Sequence, residues 1–116
     1  MTPQVFAPAP LTFGGGSAKP TPDSMKTIDE IADVLKAHPS ATIRIESHTD
    51  DVGSQAANLE LSAARAEAIK NELVDRGADA SKIETAGLGQ ELPIAGNDTA
   101  EGRAKNRRSE IVVTGR

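Results

Sequence analysis

Apolar residues return at helical spacing in two stretches and at alternate positions in others, and this rhythm divides the chain into elements. Met25, Ile28, Ala32 and Leu35 step by three and four residues, with Ile31 and Val34 widening the stripe, as one face of an α-helix requires. Thr21-Pro22-Asp23-Ser24 supplies the start: a capping hydroxyl, proline at the first helical position and an acid in the first turn. Pro39 ends the helix by restricting His38. From Ala41 to Ser47 the period changes to two. Ile43 and Ile45 face one way, Thr42, Arg44 and Glu46 the other, which predicts a strand with one buried face. His48 to Ala57 is a polar loop that turns at Gly53. Leu59, Ser62, Ala66, Ile69 and Leu73 then mark a second helix, stopped by Gly77. Its small Ser62 and Ala66 permit a close approach to a sheet.

The other elements are shorter. Leu11-Thr12-Phe13 is a strand candidate ended by Gly14-Gly15-Gly16, whose simplest role is a turn. Ile83 to Gly87 predicts another strand, left through a loop at Leu88–Pro93. Asn97-Asp98-Thr99 caps a short helix over Ala100–Asn106, and Arg107 to Thr114 closes the chain as a strand with Ile111 and Val113 on one face. Residues 1–10 carry three prolines and read as a linker or tail, leaving 11–116 as one domain. The main order is β-α-β-α-β-β. It predicts an α/β fold (an α+β sandwich), a mixed sheet with helices packed on one face.

Size and charge narrow the possible functions. A chain of 116 residues supports a single modest core. It contains no run of about eighteen apolar residues and no basic segment leading into an apolar one. Attachment to a membrane is therefore expected only through a segment upstream of residue 1. Without cysteine there is no disulfide or thiolate chemistry. Net charge is −4, yet residues 103–116 hold five basic side chains against the single acid Glu110. With no Trp, no Tyr and two Phe, the chain lacks platforms for stacking bases, so nucleic acid is not an expected partner.

His48, Asp50 and Asp51 invite a catalytic reading, but a hydrolase needs a nucleophile with a base in reach or a water-activating metal. Ser62 lacks the Gly-x-Ser-x-Gly elbow and falls within a helix. His48 and Asp50 point to the same side of an extended segment and offer two metal ligands; the rest would have to come from elsewhere, and His38 is the one other histidine. Gly87-Leu88-Gly89 matches neither a dinucleotide fingerprint nor a phosphate loop. No catalytic group, metal or cofactor is expected. What remains is one carboxylate, Asp50, at a strand–loop junction and one guanidinium, Arg65, near the start of the following helix. Arg65 falls roughly 70° from the centre of the apolar stripe, at its edge, with the stem packed and the head available. Two such charges can hold a zwitterion, the carboxylate taking an ammonium and the guanidinium a carboxylate. They can equally form an ion pair that locks loop to helix, the commoner fate.

The motifs Ile43-x-Ile45-x-Ser47-His48-Thr49-Asp50-x-x-Gly53, Asn58-x-x-Leu61-Ser62-x-x-Arg65-Ala66, Gly87-x-Gly89 with Pro93, and Gly102-Arg103-Ala104-x-Asn106-Arg107-Arg108 with Glu110-Ile111 closely resemble the OmpA-like peptidoglycan-binding domain over residues 11–114. That domain is shared by porin tails, peptidoglycan-associated lipoproteins and the flagellar stator protein MotB. The resemblance implies a non-enzymatic module that binds peptidoglycan through the diaminopimelate of the stem peptide, tethering an envelope protein to the cell wall in the periplasm, on the outer-membrane side. It implies that Asp50 takes the ammonium and Arg65 the carboxylate, that Thr49 and Asn58 line the pocket, and that Arg108 supports the pocket or meets the glycan. Ser47 stands where the family usually has glycine and is expected to crowd the strand end. Ser109 replaces the usual valine and is expected to trim packing. Gly14–Gly16 replace polar residues that help line the pocket in many members. The alternative is the same fold used as a protein–protein or oligomerisation module with a vestigial pocket. Oligomeric state is not legible.

Overall fold

The alternating and helical stretches fold into a four-stranded sheet backed by helices in the computed structural model, which describes residues 4–13 and 16–115. The strands are β1 (Gln4–Leu11), β2 (Thr42–His48), β3 (Ile83–Gly89) and β4 (Ser109–Gly115), lying in the order β1-β4-β2-β3. The helices are α1 (Pro22–Ala37), α2 (Gln55–Asp75) and the short α3 (Ala100–Asn106), with a 3-10 turn at Ala80–Lys82. Strand β4 runs antiparallel to β1 and β2, whereas β2 and β3 are parallel. A parallel pair needs a crossover, and α2 provides it.

The expected boundaries held at α1, at α3 and at the Gly77 end of α2, and moved elsewhere. Thr21 caps α1, accepting from Ser24 N, with proline in the first turn. Ser54 caps α2, accepting from Ala57 N, so this helix begins inside the stretch expected as loop. Gly77, at φ 98°, ends α2 in a Schellman motif: Ala78 N donates to Leu73 O and Gly77 N to Val74 O.

The larger correction is at the N-terminus. Residues 4–10, expected as a linker, belong to the sheet, with Gln4, Val5 and Phe6 paired to Val113, Val112 and Ile111; residues 1–3 lie outside the described residues. Prolines suggest a tail, but β1 is an edge strand, where a missing N–H is tolerated. Pro8 and Pro10 fall where the register shifts between Phe6 and Leu11.

The core lies between one sheet face and the two long helices. Ile28, Ile31 and Ala32 of α1 and Ala66, Ile69 and Leu73 of α2 meet Ile43, Ile45, Ile83 and Ile111 of the sheet. Each fully buried isoleucine contributes about 1.5–3 kcal/mol by leaving water. Val34, expected in the stripe, stays 39% exposed. Helix α2 lies so close to β3 that a Cβ on Gly87 would come within 2.4 Å of Ala63 N. That proximity brings the start of α2 against the end of the sheet, where β2 and β3 finish and β4 begins.

Candidate functional site

At the end of β2 the chain is tied to both neighbouring strands: His48 N donates to Arg108 O and Thr49 N to Gly89 O. The next residue, Asp50, therefore starts its loop from a fixed point. Its Oδ1 accepts from Val52 N at 3.1 Å, a local turn of the kind Asp forms readily. Its Oδ2 accepts from Arg107 Nη1 at 2.6 Å. Thr49, 3% exposed, donates its hydroxyl to the Asp50 carbonyl at 2.7 Å. Asn58, on the first turn of α2, directs Nδ2 to the carbonyls of Asp50 and Val52 and to Gln90 Oε1. Thr49 and Asn58 thus hold the Asp50 loop by its backbone and tie it to the loop after β3.

Arg65 enters from the third turn of α2. It is 3% exposed, a correction to the expectation of an available head at the helix edge. The stripe gives an angle around the helix and says nothing about what covers it. The cover comes from the segment after β1: Nε donates to Ser17 O at 2.9 Å, and the guanidinium carbon lies 5.0 Å from the centre of the Phe13 ring, a cation–π distance. Phe13 and Ser17 bracket the glycine run; Gly14 and Gly15 lie outside the described residues, and Gly16 has φ 66°. Burial lowers the Arg65 pKa most, nearby Arg107 lowers it further, and Asp50 acts the other way. Arg65 therefore feels both Arg107 and Asp50, and the three make one electrostatic unit in which Arg107 pairs directly with the carboxylate.

The second arginine of that unit is Arg107, whereas the family resemblance singles out its neighbour Arg108. Arg108 points elsewhere, donating to Glu110 Oε2 and to the carbonyls of Asn106 and Leu92; it braces the loop between β3 and α3. Fully buried Asn106 does the same from the other side, accepting from the amides of Ile94 and Ala95 and donating to Ala95 O and Asn97 Oδ1. Strand parity was the available signal. In the strand expected from Arg107 to Thr114, with Ile111 facing the core, Ser109 and Arg107 fall on its side and Arg108 and Glu110 on the other, although β4 itself begins only at Ser109.

Two further expectations change. Ser47 does not crowd the strand end, and Ser109 does more than trim packing, because they are register partners whose hydroxyls lie 2.7 Å apart, both buried. Each side chain off the family's usual pattern satisfies the other. His48 does not share a ligand position with Asp50: its ring, 2% exposed, faces Glu110. Burial first and Arg108 second hold its pKa below the ordinary value, against Glu110 and Glu46.

Comparison with known proteins agrees with this architecture. The OmpA family model matches residues 12–107. Over 104 residues, 90% of its length, the chain is 47% identical to the peptidoglycan-binding protein ArfA of Mycobacterium tuberculosis, covering 32% of that protein. It is 41% identical over 107 residues, 92% of its length, to the probable lipoprotein YiaD of Escherichia coli, covering 49% of it. The chain thus spans about a third to a half of these curated relatives. Among solved structures, the peptidoglycan-associated lipoprotein from Burkholderia pseudomallei superposes with a TM-score of 0.86 at 30% identity, covering 90% of this chain and 89% of that one.

Proposed function

This chain belongs to the OmpA family, and from that premise we propose that it is a cell-wall-binding module in the periplasm, its guest the diaminopimelate of the peptidoglycan stem peptide. The observation that carries the reading is the charge unit at the end of β2, with Asp50 held 2.6 Å from Arg107 beside buried Arg65. A zwitterionic end of diaminopimelate is complementary to it. Asp50 takes the ammonium in place of the half-exposed Arg107, and buried Arg65, reached once that exchange uncovers it, takes the carboxylate through the planar guanidinium that suits two oxygens at once. Thr49 and Asn58 keep the Asp50 loop in place, and Arg108 braces the adjoining loop. The names of ArfA and of the Burkholderia lipoprotein support the wall as partner. The role is binding: incubation with muropeptides followed by chromatography is expected to show no turnover.

A second reading has an observation of its own. Both Asp50 oxygens are engaged, by Arg107 and by Val52 N, as they would be in a structural lock within a protein–protein module. Sacculus pull-down and thermal melting of Asp50→Asn and Arg65→Lys separate the two. The wall-binding reading expects both variants to lose the sacculus, and diaminopimelate to shift the amides of Thr49–Asn58 in the wild type only. Truncating one side of a desolvated charge contact costs about 2–5 kcal/mol of binding, enough to empty a pull-down. Retained binding with a lowered melting temperature would leave only the lock.

A further inference from the structure

On the sheet face opposite the helices, three potential ligands converge. Glu46 and Glu110 are cross-strand register partners on β2 and β4, and His48 follows Glu46 by two residues on the same side of β2. Alternation along β2 and one antiparallel pairing are enough to bring them together. One ligand atom from each lies within 4.8 Å of the others, and His48 Nε2 stands 3.2 Å from Glu110 Oε2. Ligands on a tetrahedral zinc ion are roughly 3.3 Å apart at the bond lengths zinc takes, so the closest edge is already formed.

The histidine supplies the independent reason to look for a ligand. It is 2% exposed, and among the described residues neither ring nitrogen makes a well-aligned hydrogen bond, although Nε2 lies 3.2 Å from Glu110 Oε2. A buried imidazole with one ring nitrogen unpartnered and the other facing only a carboxylate is unusual, because its lost hydration is not fully replaced. We propose that Glu46, His48 and Glu110 form a binding site for a divalent transition ion of the zinc type, separate from the Asp50 site.

One imidazole with two carboxylates is a zinc-like donor set with a position left for water, whereas calcium and magnesium favour oxygen alone. Two arginines compete for the carboxylates: Arg44 Nε donates to Glu46 Oε2 at 2.7 Å and Arg108 Nε to Glu110 Oε2 at 3.3 Å. Both use Oε2, which on Glu110 is also the oxygen nearest His48, so an ion on that edge shares or displaces the Arg108 contact; among the described residues no hydrogen bond reaches Oε1 of either glutamate, which leaves a second oxygen of each for an ion. The glutamate side chains are 21% and 30% exposed, so the ion enters between them to reach the buried imidazole. Bound there, it bridges β2 to β4 just before the chain reaches Asp50.

The test titrates zinc alone into the wild-type chain and into Glu46→Gln, Glu110→Gln and His38→Gln, by calorimetry and by the histidine ring nitrogen shifts in NMR. The expected result is one saturable zinc per chain and a shift at His48. Each glutamate variant should lose about tenfold or more in affinity, since even outer-shell changes at metal sites cost 10–100-fold, and His38→Gln should match the wild type. No saturable binding, equal affinity in the glutamate variants, or a ring shift confined to His38 would overturn the site. His48 stays in every variant, so folding does not obscure the outcome.

Discussion

The hydroxyls of Ser47 and Ser109 meet at a register pair of β2 and β4 where neither side chain reaches water. A hydrogen bond in such a place is worth little net, but an orphaned partner costs about 1–3 kcal/mol. Ser47→Gly, which restores the family's usual residue, should therefore destabilise this chain by that amount. Adding Ser109→Val should recover most of it, because a matched apolar pair leaves no buried hydroxyl behind. Urea midpoints of the two single variants and the double variant measure the coupling. Penalties that simply add would show that the two serines act independently. The same residue-by-residue logic separates Arg107 from Arg108: adjacent, identical in chemistry, and given different carboxylates, Asp50 and Glu110, in the short link between α3 and β4.

Helix α2 carries both Asn58 and Arg65, and its distance from β3 is set by a glycine. The Gly87 position faces Ala63 backbone at 2.4 Å for an added Cβ, and backbone cannot swing aside as a flexible side chain can. Gly87→Ala should cost about 1–3 kcal/mol as overpacking, read from the denaturation midpoint, and should weaken wall binding as well, since the shift moves Arg65. An unchanged midpoint would mean that helix and strand are not in contact there. Periodicity foretold both long helices, the core strands and the glycine stop, because those depend on local signals. It missed β1 and the start of α2. Prolines look the same in a tail and at a sheet edge, and Gln55-Ala56-Ala57 has no apolar stripe. The burial of Arg65 was equally hidden, since its cover comes from Ser17, forty-eight residues earlier. Asp50, Thr49 and Asn58 were legible because they sit in one local motif; Arg107 joins them only through the fold.

The fold as a whole gathers the end of β2, the third turn of α2 and the residue after α3 into one place, so a chain of net charge −4 presents two cations and one anion at a single end of its sheet. Whether Arg107 obstructs an ammonium guest there is a question of magnitudes. Its side chain is 41% exposed and that of Asp50 12%, and ion pairs with an exposed partner contribute about 0–1 kcal/mol. Replacing that contact with one from a desolvated guest gains about 2–5 kcal/mol, so exchange is favourable and Arg107 is dispensable. Arg107→Gln should then change diaminopimelate affinity by no more than about fivefold in either direction, the equivalent of 1 kcal/mol, whereas Asp50→Asn should cost about thirtyfold or more. Calorimetric titration of both variants makes the comparison. If Arg107→Gln abolished binding as completely as Asp50→Asn, Arg107 would itself be holding the guest, and the division of roles between the inner and outer guanidinium would have to be reversed.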